Sequence, residues 1–444
     1  MKKNIFMVLV LLGIVSFAHA QKHALTLQQC IDLATKQSYS LQAAEKSVER
    51  AKAMQGTAWD LDKTDLSLSQ DPTSGGSPDN SISLSQAIEF PTVYVARRQQ
   101  LKAETQAERS KMGVLKNAVV AEVTSLYYQL VYEYQRMNVL NQQDSILRLS
   151  KEITEKRYKA GEVRKLDVLS ADKVWRENQL EMAAVKSEAN TVRMQLARLL
   201  NLSDMNRSDI NHSDLNSSDL NSSDLNRSDL NCSDLNCSDF DIQQESLAPI
   251  SYSHSDFNYQ QTAEGTYAQD RLTVADKALK VAKNGYAPSL SLSLRNQLVL
   301  SSWNPYNQDR SKFDGGNFMG FEVGVGIPLF YGATKAKVKA ARKEKEIAEL
   351  EFKEEQRSRE SEYLSAVNLC NTYMARLTYY QQEGEKHADE LQKLGILEYQ
   401  NGEISFIEYI NALQESMDIK MKHAQAINDY NQSVIALKKL KGIW

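Results

Sequence analysis

A fifteen-residue pattern occurs twice in the chain, and the second copy begins 241 positions after the first. Residues 157–171 read RYKAGEVRKLDVLSA, and residues 398–412 read EYQNGEISFIEYINA. Of five aligned pairs, four are identical and the fifth keeps an acidic side chain. These pairs are Tyr158 with Tyr399, Gly161 with Gly402, Glu162 with Glu403, Asp167 with Glu408, and Ala171 with Ala412. A repeat at a fixed offset predicts two similarly folded halves.

Long helical patterns lie on both sides of each copy. Upstream, apolar residues recur every three or four positions over about 65 residues, roughly 93–158 and 334–399. No proline interrupts either stretch, which favours coiled-coil packing. At about 1.5 Å per residue each helix would be about 100 Å long, more than a globular core accommodates. Gly161 and Gly402 would then form helix–turn–helix tips, because glycine adopts the positive φ of a tight reversal.

An alternating pattern precedes the long helix in each half. In the first half, apolar and polar residues alternate at 66–69 and again at 82–88, and in the second half at 290–294 and 321–327. Such alternation is typical of a transmembrane β-strand with one lipid face and one lumen face. Four strands are too few to close a barrel, so we expect a trimer that pools twelve strands.

The first twenty residues have the features of a secretory signal peptide. Lysines precede an apolar run, and Ala18-His19-Ala20 supplies the small residues of a cleavage site. The mature chain would begin at Gln21, and with no cysteine at the cut we expect no lipid anchor. The 53 basic and 57 acidic residues give a net charge of −4, which does not indicate a nucleic acid partner.

The chain resembles the TolC-like outer membrane efflux family. The resemblance rests on Y-x-x-G-x-x-x-x-x-D-V-L-x-A at 158–171, on its second copy at 399–412, and on QAIEFP (86–91) and GIPLFYG (326–332). It extends over nearly the whole mature chain, from LTLQQCIDLA (25–34) onward. It implies a homotrimer in the outer membrane of a Gram-negative bacterium, which acts as the exit duct of a tripartite efflux or type I secretion system. Its partners would be a periplasmic adaptor and an inner-membrane pump.

The implied fold is mainly α with a small β part. Long antiparallel coiled-coil helices would form a periplasmic α-barrel, and four strands per chain would enter a twelve-stranded transmembrane β-barrel. The expected segments are a signal peptide at 1–20, a first repeat at 21–202, an insertion at 203–241 and a second repeat at 242–444. The first repeat would contain a β-hairpin at 64–90 and a helical hairpin at 91–202. The second would contain a β-hairpin at 286–330 and a helical hairpin at 332–441.

The resemblance also implies that the two tips dock against hairpins of the adaptor. The expected contact residues are Ala160, Gly161 and Glu162 in the first half, and Asn401, Gly402 and Glu403 in the second. The alternative interpretation is that both glycines only end helices as C-caps.

Three further positions match the periplasmic entrance of such channels. Asp167 and Glu408 match acidic positions there, whereas Asn411 stands where the best-known family member has a second acidic residue, which argues against a cation-binding ring. The alternative interpretation is that both carboxylates begin helices, where the helix dipole favours negative charge.

A tandem tract separates the halves. Residues 201–240 form eight consecutive N-x-S-D-[LMIF] pentads, placed as an insertion in a linker. One interpretation is a short pentapeptide β-helix, although eight pentads would give only about two coils, fewer than the three repeats usually needed to bury a core. The other, which the density of serine and asparagine favours, is a weakly ordered periplasmic belt element.

Two other classes of function compete with a passive channel. An enzyme is not expected, because the sequence lacks G-x-S-x-G, H-E-x-x-H and P-loop patterns and shows no cofactor site. Cys232 and Cys237 lack histidine partners, so no metal site is expected either. An exported trimeric coiled-coil stalk would explain the helices but would not require two alternating hairpins. FPTVYVARRQ (90–99) loosely resembles channels paired with heavy-metal pumps of the resistance-nodulation-division type, so metal ions and drugs both remain candidate cargo.

Overall fold

The chain is mainly helical with a small β part, as predicted. The computed structural model describes residues 23–72, 78–202, 240–243, 245–253, 256–298 and 318–444. The predicted signal peptide and most of the pentad tract lie outside the described residues. Within the described part of the chain, no helix is both long enough and apolar enough to cross a membrane.

Eight α-helices account for most of the described residues. They are α1 (Leu27–Gln37), α2 (Tyr39–Met54), α3 (Pro91–Lys159), α4 (Lys165–Leu199), α5 (Ala263–Asn284), α6 (Gly332–Tyr379), α7 (Glu385–Asn401) and α8 (Phe406–Lys441). The sequence predicts two equally long helices before the tips. The first, α3, runs unbroken for 69 residues. The second is interrupted by a π-turn at Tyr380–Gly384, which joins α6 to α7.

The described strands form two sheets. They are β1 (His23–Leu25), β2 (Asp65–Pro72), β3 (Pro78–Glu89), β4 (Phe240–Ile242), β5 (Ser289–Leu298) and β6 (Phe318–Gly326). The short strands β1 and β4 pair in parallel. The other four form an antiparallel sheet in the order β2-β3-β5-β6, so that the hairpin of one half pairs with the hairpin of the other through β3 and β5.

The chain divides into two compact units. The first contains Met1–Leu41, Lys116–Phe257 and Ser361–Trp444, and the second contains Gln42–Leu115 and Asn258–Glu360. The helical tips belong to the first unit, and the four-stranded sheet belongs to the second.

Among the described residues, two apolar clusters stabilise the first unit. One lies between α6 and α8 and is covered by the segment that leads out of β4. There Asn431, fully buried, accepts a hydrogen bond from the backbone N–H of Ile250 (2.8 Å) and donates one to the carbonyl of Ala248 (2.9 Å). A buried amide that satisfies two backbone groups holds this segment against the helices. The other cluster lies beside the tips.

In the second unit, α5 packs against α6 through charged and aromatic contacts. Arg271 on α5 pairs with Glu351 (2.5 Å) and Glu355 (3.4 Å) on α6. Tyr259, which is buried just before α5, donates to the carboxylate of Glu355 at 3.1 Å. Both helices therefore reach the sheet as one packed pair.

Candidate functional site

The first tip reverses the chain through a left-handed glycine. Gly161 has φ +78°, a conformation that a residue with a Cβ adopts only with strain. The amide of Gly161 donates to the carbonyl of Tyr158 (2.9 Å), and that of Glu162 donates to the carbonyl of Arg157 (2.9 Å). These bonds satisfy carbonyl groups at the end of α3, as in a Schellman motif. Ala160, Gly161 and Glu162 are exposed.

The second tip has nearly the same backbone. Gly402 has φ +77°, and the amide of Glu403 donates to the carbonyl of Glu398 at 2.9 Å. A Cβ added to either tip glycine would meet no atom within 4 Å, so φ alone selects glycine at both tips. Asn401, Gly402 and Glu403 are exposed. All six predicted docking residues are thus accessible in the isolated chain.

The two acidic positions behind the tips act as helix caps. The Asp167 carboxylate accepts a hydrogen bond from the backbone N–H of Arg164 (3.1 Å), and Glu408 accepts one from the backbone N–H of Ser405 (2.7 Å). The hydroxyl of Ser405 in turn accepts from the amide of Glu408 (3.3 Å), which completes a capping box. The bond from the Ser405 amide lowers the pKa of Glu408, because it stabilises the charged form.

Burial separates the predicted entrance residues. Asp167 is only 7% exposed, so most of its carboxylate is directed into the helix start. Glu408 and Asn411 are exposed on α8. The two acidic positions therefore share a capping role, and Glu408 alone combines it with access to solvent.

An apolar cluster joins the two tips to each other. Its buried members come from α3, α4 and α8: Leu147, Ala171, Val174, Phe406, Tyr409, Ile410 and Leu413. Tyr399 of α7 stacks on Tyr409 with ring centroids 4.6 Å apart, and the guanidinium of Arg157 lies 5.2 Å from the centroid of the Tyr399 ring. The two tips are thus packed as one assembly of four helix ends.

A buried hydroxyl pair ties the second hairpin to α3. Tyr409 and Ser150 lie 2.7 Å apart, oxygen to oxygen, and both side chains are buried. Burial raises the pKa of the Tyr409 phenol, so it stays neutral at physiological pH. The sequence pattern did not indicate this contact, because the two residues belong to different halves.

The sheet in the second unit has one apolar face. Leu66, Leu84, Leu294 and Phe321 are register neighbours across the four strands, and each is exposed in the isolated chain. Phe321 is 83% exposed. The next rows of this face add Ile88, Leu290, Leu292, Val323 and Val325. A contiguous exposed apolar face of this size marks a surface that contacts lipid or protein.

The opposite face is polar. The hydroxyl oxygens of Ser67 and Ser83 lie 2.6 Å apart, and those of Ser69 and Ser81 lie 2.7 Å apart. Arg295 donates to Ser81 at 3.3 Å. The sheet therefore has the two unlike faces that the sequence alternation predicts.

No metal centre is found in the described part of the chain, where no group of three or more His, Cys, Asp or Glu side chains is arranged to hold an ion. The described cysteines Cys30 and Cys370 are both free and buried.

Comparison with known proteins finds a family match in the second half of the chain. Residues 267–442 match the family model described as outer membrane efflux protein. No curated protein matches the chain. The family match confirms the predicted resemblance to TolC-like outer membrane efflux proteins, and with it the location in the outer membrane of a Gram-negative bacterium with the helices in the periplasm.

Solved outer-membrane proteins share the fold over almost the full length. The Campylobacter jejuni CmeC outer membrane channel is 17% identical, with a TM-score of 0.69 over 94% of this chain and 85% of that chain. CusC, whose structures concern folding and transmembrane channel formation, is 15% identical, with a TM-score of 0.72 over 94% and 92%. The outer membrane protein VceC from Vibrio cholerae is 15% identical, with a TM-score of 0.69 over 94% and 96%.

Proposed function

Because this chain is similar to outer membrane efflux proteins, we propose that it is the passive exit channel of a tripartite efflux system. Three copies would pool their sheets into one twelve-stranded barrel, and their helices would form the periplasmic tunnel. An inner-membrane pump of the resistance-nodulation-division type would supply the energy, and a periplasmic adaptor would connect the two. The proposed cargo is heavy-metal ions or drugs.

The four-stranded sheet has one apolar and one polar face and two open edges, and this geometry supports the proposal. In the described residues, β2 and β6 each pair on one side only. In lipid, unpaired backbone groups on these edges would each cost several kcal/mol. Joining β6 of one copy to β2 of the next removes every edge. It also directs the apolar faces to lipid and the serine faces to the lumen.

Reconstitution tests the channel. The detergent-extracted protein should have the mass of a trimer by light scattering, and it should conduct ions in planar lipid bilayers. A trimer that never conducts would favour the coiled-coil stalk. A monomer that stays in solution without detergent would exclude both.

The tips are proposed as the adaptor-docking surface, on the basis of their exposure and of the family resemblance. Added bulk at Ala160 and Asn401 tests this, because neither position needs a positive φ in the described structure. We expect Ala160→Trp with Asn401→Trp to abolish efflux while the trimer and its conductance persist. Ala183→Trp, at an exposed position on α4, is the matched control and should leave efflux intact. Normal efflux in the double variant would show that the tips are not the docking surface.

For the entrance, we propose that Glu408 and Asn411 line the passage and that Asp167 positions the start of α4. Glu408→Gln should then change cation selectivity in planar bilayers, whereas Asp167→Asn should mainly lower stability. An unaltered selectivity after Glu408→Gln would place this side chain outside the pore.

A further inference from the structure

Three helix ends meet one end of the sheet. Glu89, Ser289 and Gly326 are register neighbours there. α3 begins at Pro91, two residues after β3, while α5 ends shortly before β5 and α6 begins shortly after β6. In the proposed channel this end of the sheet lies at the periplasmic boundary of the membrane.

The connection from β6 to α6 is apolar and exposed. Ile327, Leu329, Phe330 and Tyr331, here termed the apolar collar, are all exposed, and Phe330 is 93% exposed. The ring centroid of Tyr331 lies 5.8 Å from that of Tyr286, in the connection between α5 and β5. Aromatic and aliphatic side chains in this position are suited to the boundary between acyl chains and headgroups.

Charge along α6 reverses with distance from the sheet. Residues 332–345 contain six basic residues and one acidic residue, whereas residues 346–360 contain six acidic and three basic residues. Three of the cations, Lys335, Lys339 and Arg342, follow the i, i+4, i+7 spacing of one helix face. These three residues are here termed the basic stripe.

The basic stripe is available to a ligand. All three side chains are exposed, and among the described residues none of them has an ion-pair partner. In contrast, Lys345 on the same helix is paired with Asp276 at 3.0 Å. The stripe extends about 10 Å along the helix axis, close to the roughly 5–8 Å of one headgroup layer.

An adjacent groove adds to this surface. It lies between the start of α3 and the end of α5, has a volume of about 440 Å³, and is lined by Val95, Lys280 and Lys283 among others. Val95 is half exposed. Among the described residues Lys283 has no ion-pair partner. The groove is mainly apolar, has lysine side chains at its rim, and lies beside the sheet.

We propose that the basic stripe and the apolar collar bind anionic phospholipids of the inner leaflet of the outer membrane. The phosphate groups would lie against Lys335, Lys339 and Arg342, and the acyl chains would lie against Phe330 and Leu329. This inference rests on the proposed orientation of the sheet in the membrane. Its consequence is that lipid charge, in addition to lipid thickness, would fix the depth of the channel.

Titration of the full-length protein in nonionic detergent tests the proposal. The probes are fluorescent phosphatidylglycerol and phosphatidylcholine with identical acyl chains. Each cation near an anionic lipid surface contributes about fivefold in affinity, so removing three should weaken phosphatidylglycerol binding by up to about a hundredfold. The test variant is therefore Lys335→Gln with Lys339→Gln and Arg342→Gln, and its phosphatidylcholine affinity should be unchanged.

A matched control removes the same charge elsewhere. Lys353→Gln, Arg357→Gln and Lys186→Gln change exposed residues outside the basic stripe, and they should leave the lipid preference intact. Equal affinity of the wild type for both lipids, or an equal loss in test and control variants, would overturn the proposal. So would competition by millimolar inorganic phosphate, because that would indicate a site for free phosphate.

Two further measurements keep the outcome unambiguous. If the test variant does not assemble, the salt dependence of the wild type decides, since a preference for phosphatidylglycerol that persists in 1 M salt would contradict an electrostatic headgroup site. Conductance of the same wild-type preparation separates this proposal from the channel function. A conducting trimer without lipid preference refutes only the lipid site.

Discussion

The two helical tips share a backbone but differ in what supports it. Both reverse through a glycine near φ +78°, with equivalent hydrogen bonds. The second tip has a complete capping box and an aromatic stack. At the first tip Asp167 caps the amide of Arg164, but the Arg164 side chain makes no cap hydrogen bond in return, and Lys165 stands where the second tip has Phe406. Glycine therefore specifies the chain reversal at both tips, while local stability is set by residues that the two halves do not share.

The largest expected effect comes from the aromatic residue that only the second tip has. Phe406 is 5% exposed in the cluster between the tips, so Phe406→Ala should lower the free energy of unfolding by about 3–5 kcal/mol. Lys165→Ala at the aligned, exposed position of the first tip should change it by less than about 0.5 kcal/mol. Thermal unfolding of both variants in detergent measures this. Equal losses of stability in the two variants would show that the aligned positions contribute equally at the two tips.

The next largest effect is expected where α7 and α8 pack closely together. Gly395 aligns with Thr154, and a Cβ at Gly395 would lie 3.1 Å from the Cβ of Ala412. Gly395→Thr should therefore destabilise the protein by about 1–3 kcal/mol through overpacking. Gly113→Thr is the control, since nothing lies within 4 Å of a Cβ there, and it should be neutral or slightly stabilising. A tolerated threonine at 395 would show that the helices separate at low cost.

Exchanging the N-caps should shift stability by smaller amounts in opposite directions. Ser405→Arg removes the hydroxyl that accepts from the amide of Glu408, at a cost of about 1 kcal/mol. Arg164→Ser supplies the first tip with such a hydroxyl and should gain a similar amount. Denaturant unfolding of the two single variants and of the double variant gives both values. Shifts of the same sign would contradict independent caps.

The smallest effect is a pH dependence at the second tip. The pKa of Glu408 is lower in the folded state than its ordinary value, because its carboxylate accepts the hydrogen bond from Ser405. The stabilisation is therefore present above the ordinary pKa near 4.5 and is lost as pH falls through the depressed value. Wild-type Tm should fall more steeply than that of Glu408→Gln as pH is lowered below about 4.5. Parallel curves of Tm against pH would show that the Glu408 carboxylate does not stabilise the cap.

The sequence predicts those features that depend on local backbone or on periodicity. The positive φ at Gly161 and Gly402 follows from residue type and placement, and the two-faced sheet follows from the alternation around Leu66 and Leu84. Features that depend on contacts between the halves were not predictable. The pairing of β3 with β5 and the bond between Ser150 and Tyr409 both join residues at least 200 positions apart, and no periodicity indicates such contacts.

At the candidate site, too, residue type was predictable from the sequence but tertiary packing was not. The acidic character of positions 167 and 408 was visible in the sequence, but the burial of Asp167 depends on the packing around the start of α4. The π-turn at Tyr380–Gly384 has no proline or glycine pair to announce it within the long apolar pattern. The basic stripe is visible in the sequence, yet its significance emerges only once α6 is known to begin next to the sheet.

The parallel pairing of β1 with β4 has a consequence for how this protein tolerates change. Ile242 lies opposite Leu25, and Asp241 accepts a hydrogen bond from Tyr134 on α3. In sequence, the pentad tract lies between α4 and β4, and β4 is held by its own pairing with β1. Whole pentads could be added or deleted between these attachment points without shifting any register in the folded units. The number of pentads can therefore change while the described units keep their strand registers and helix packing.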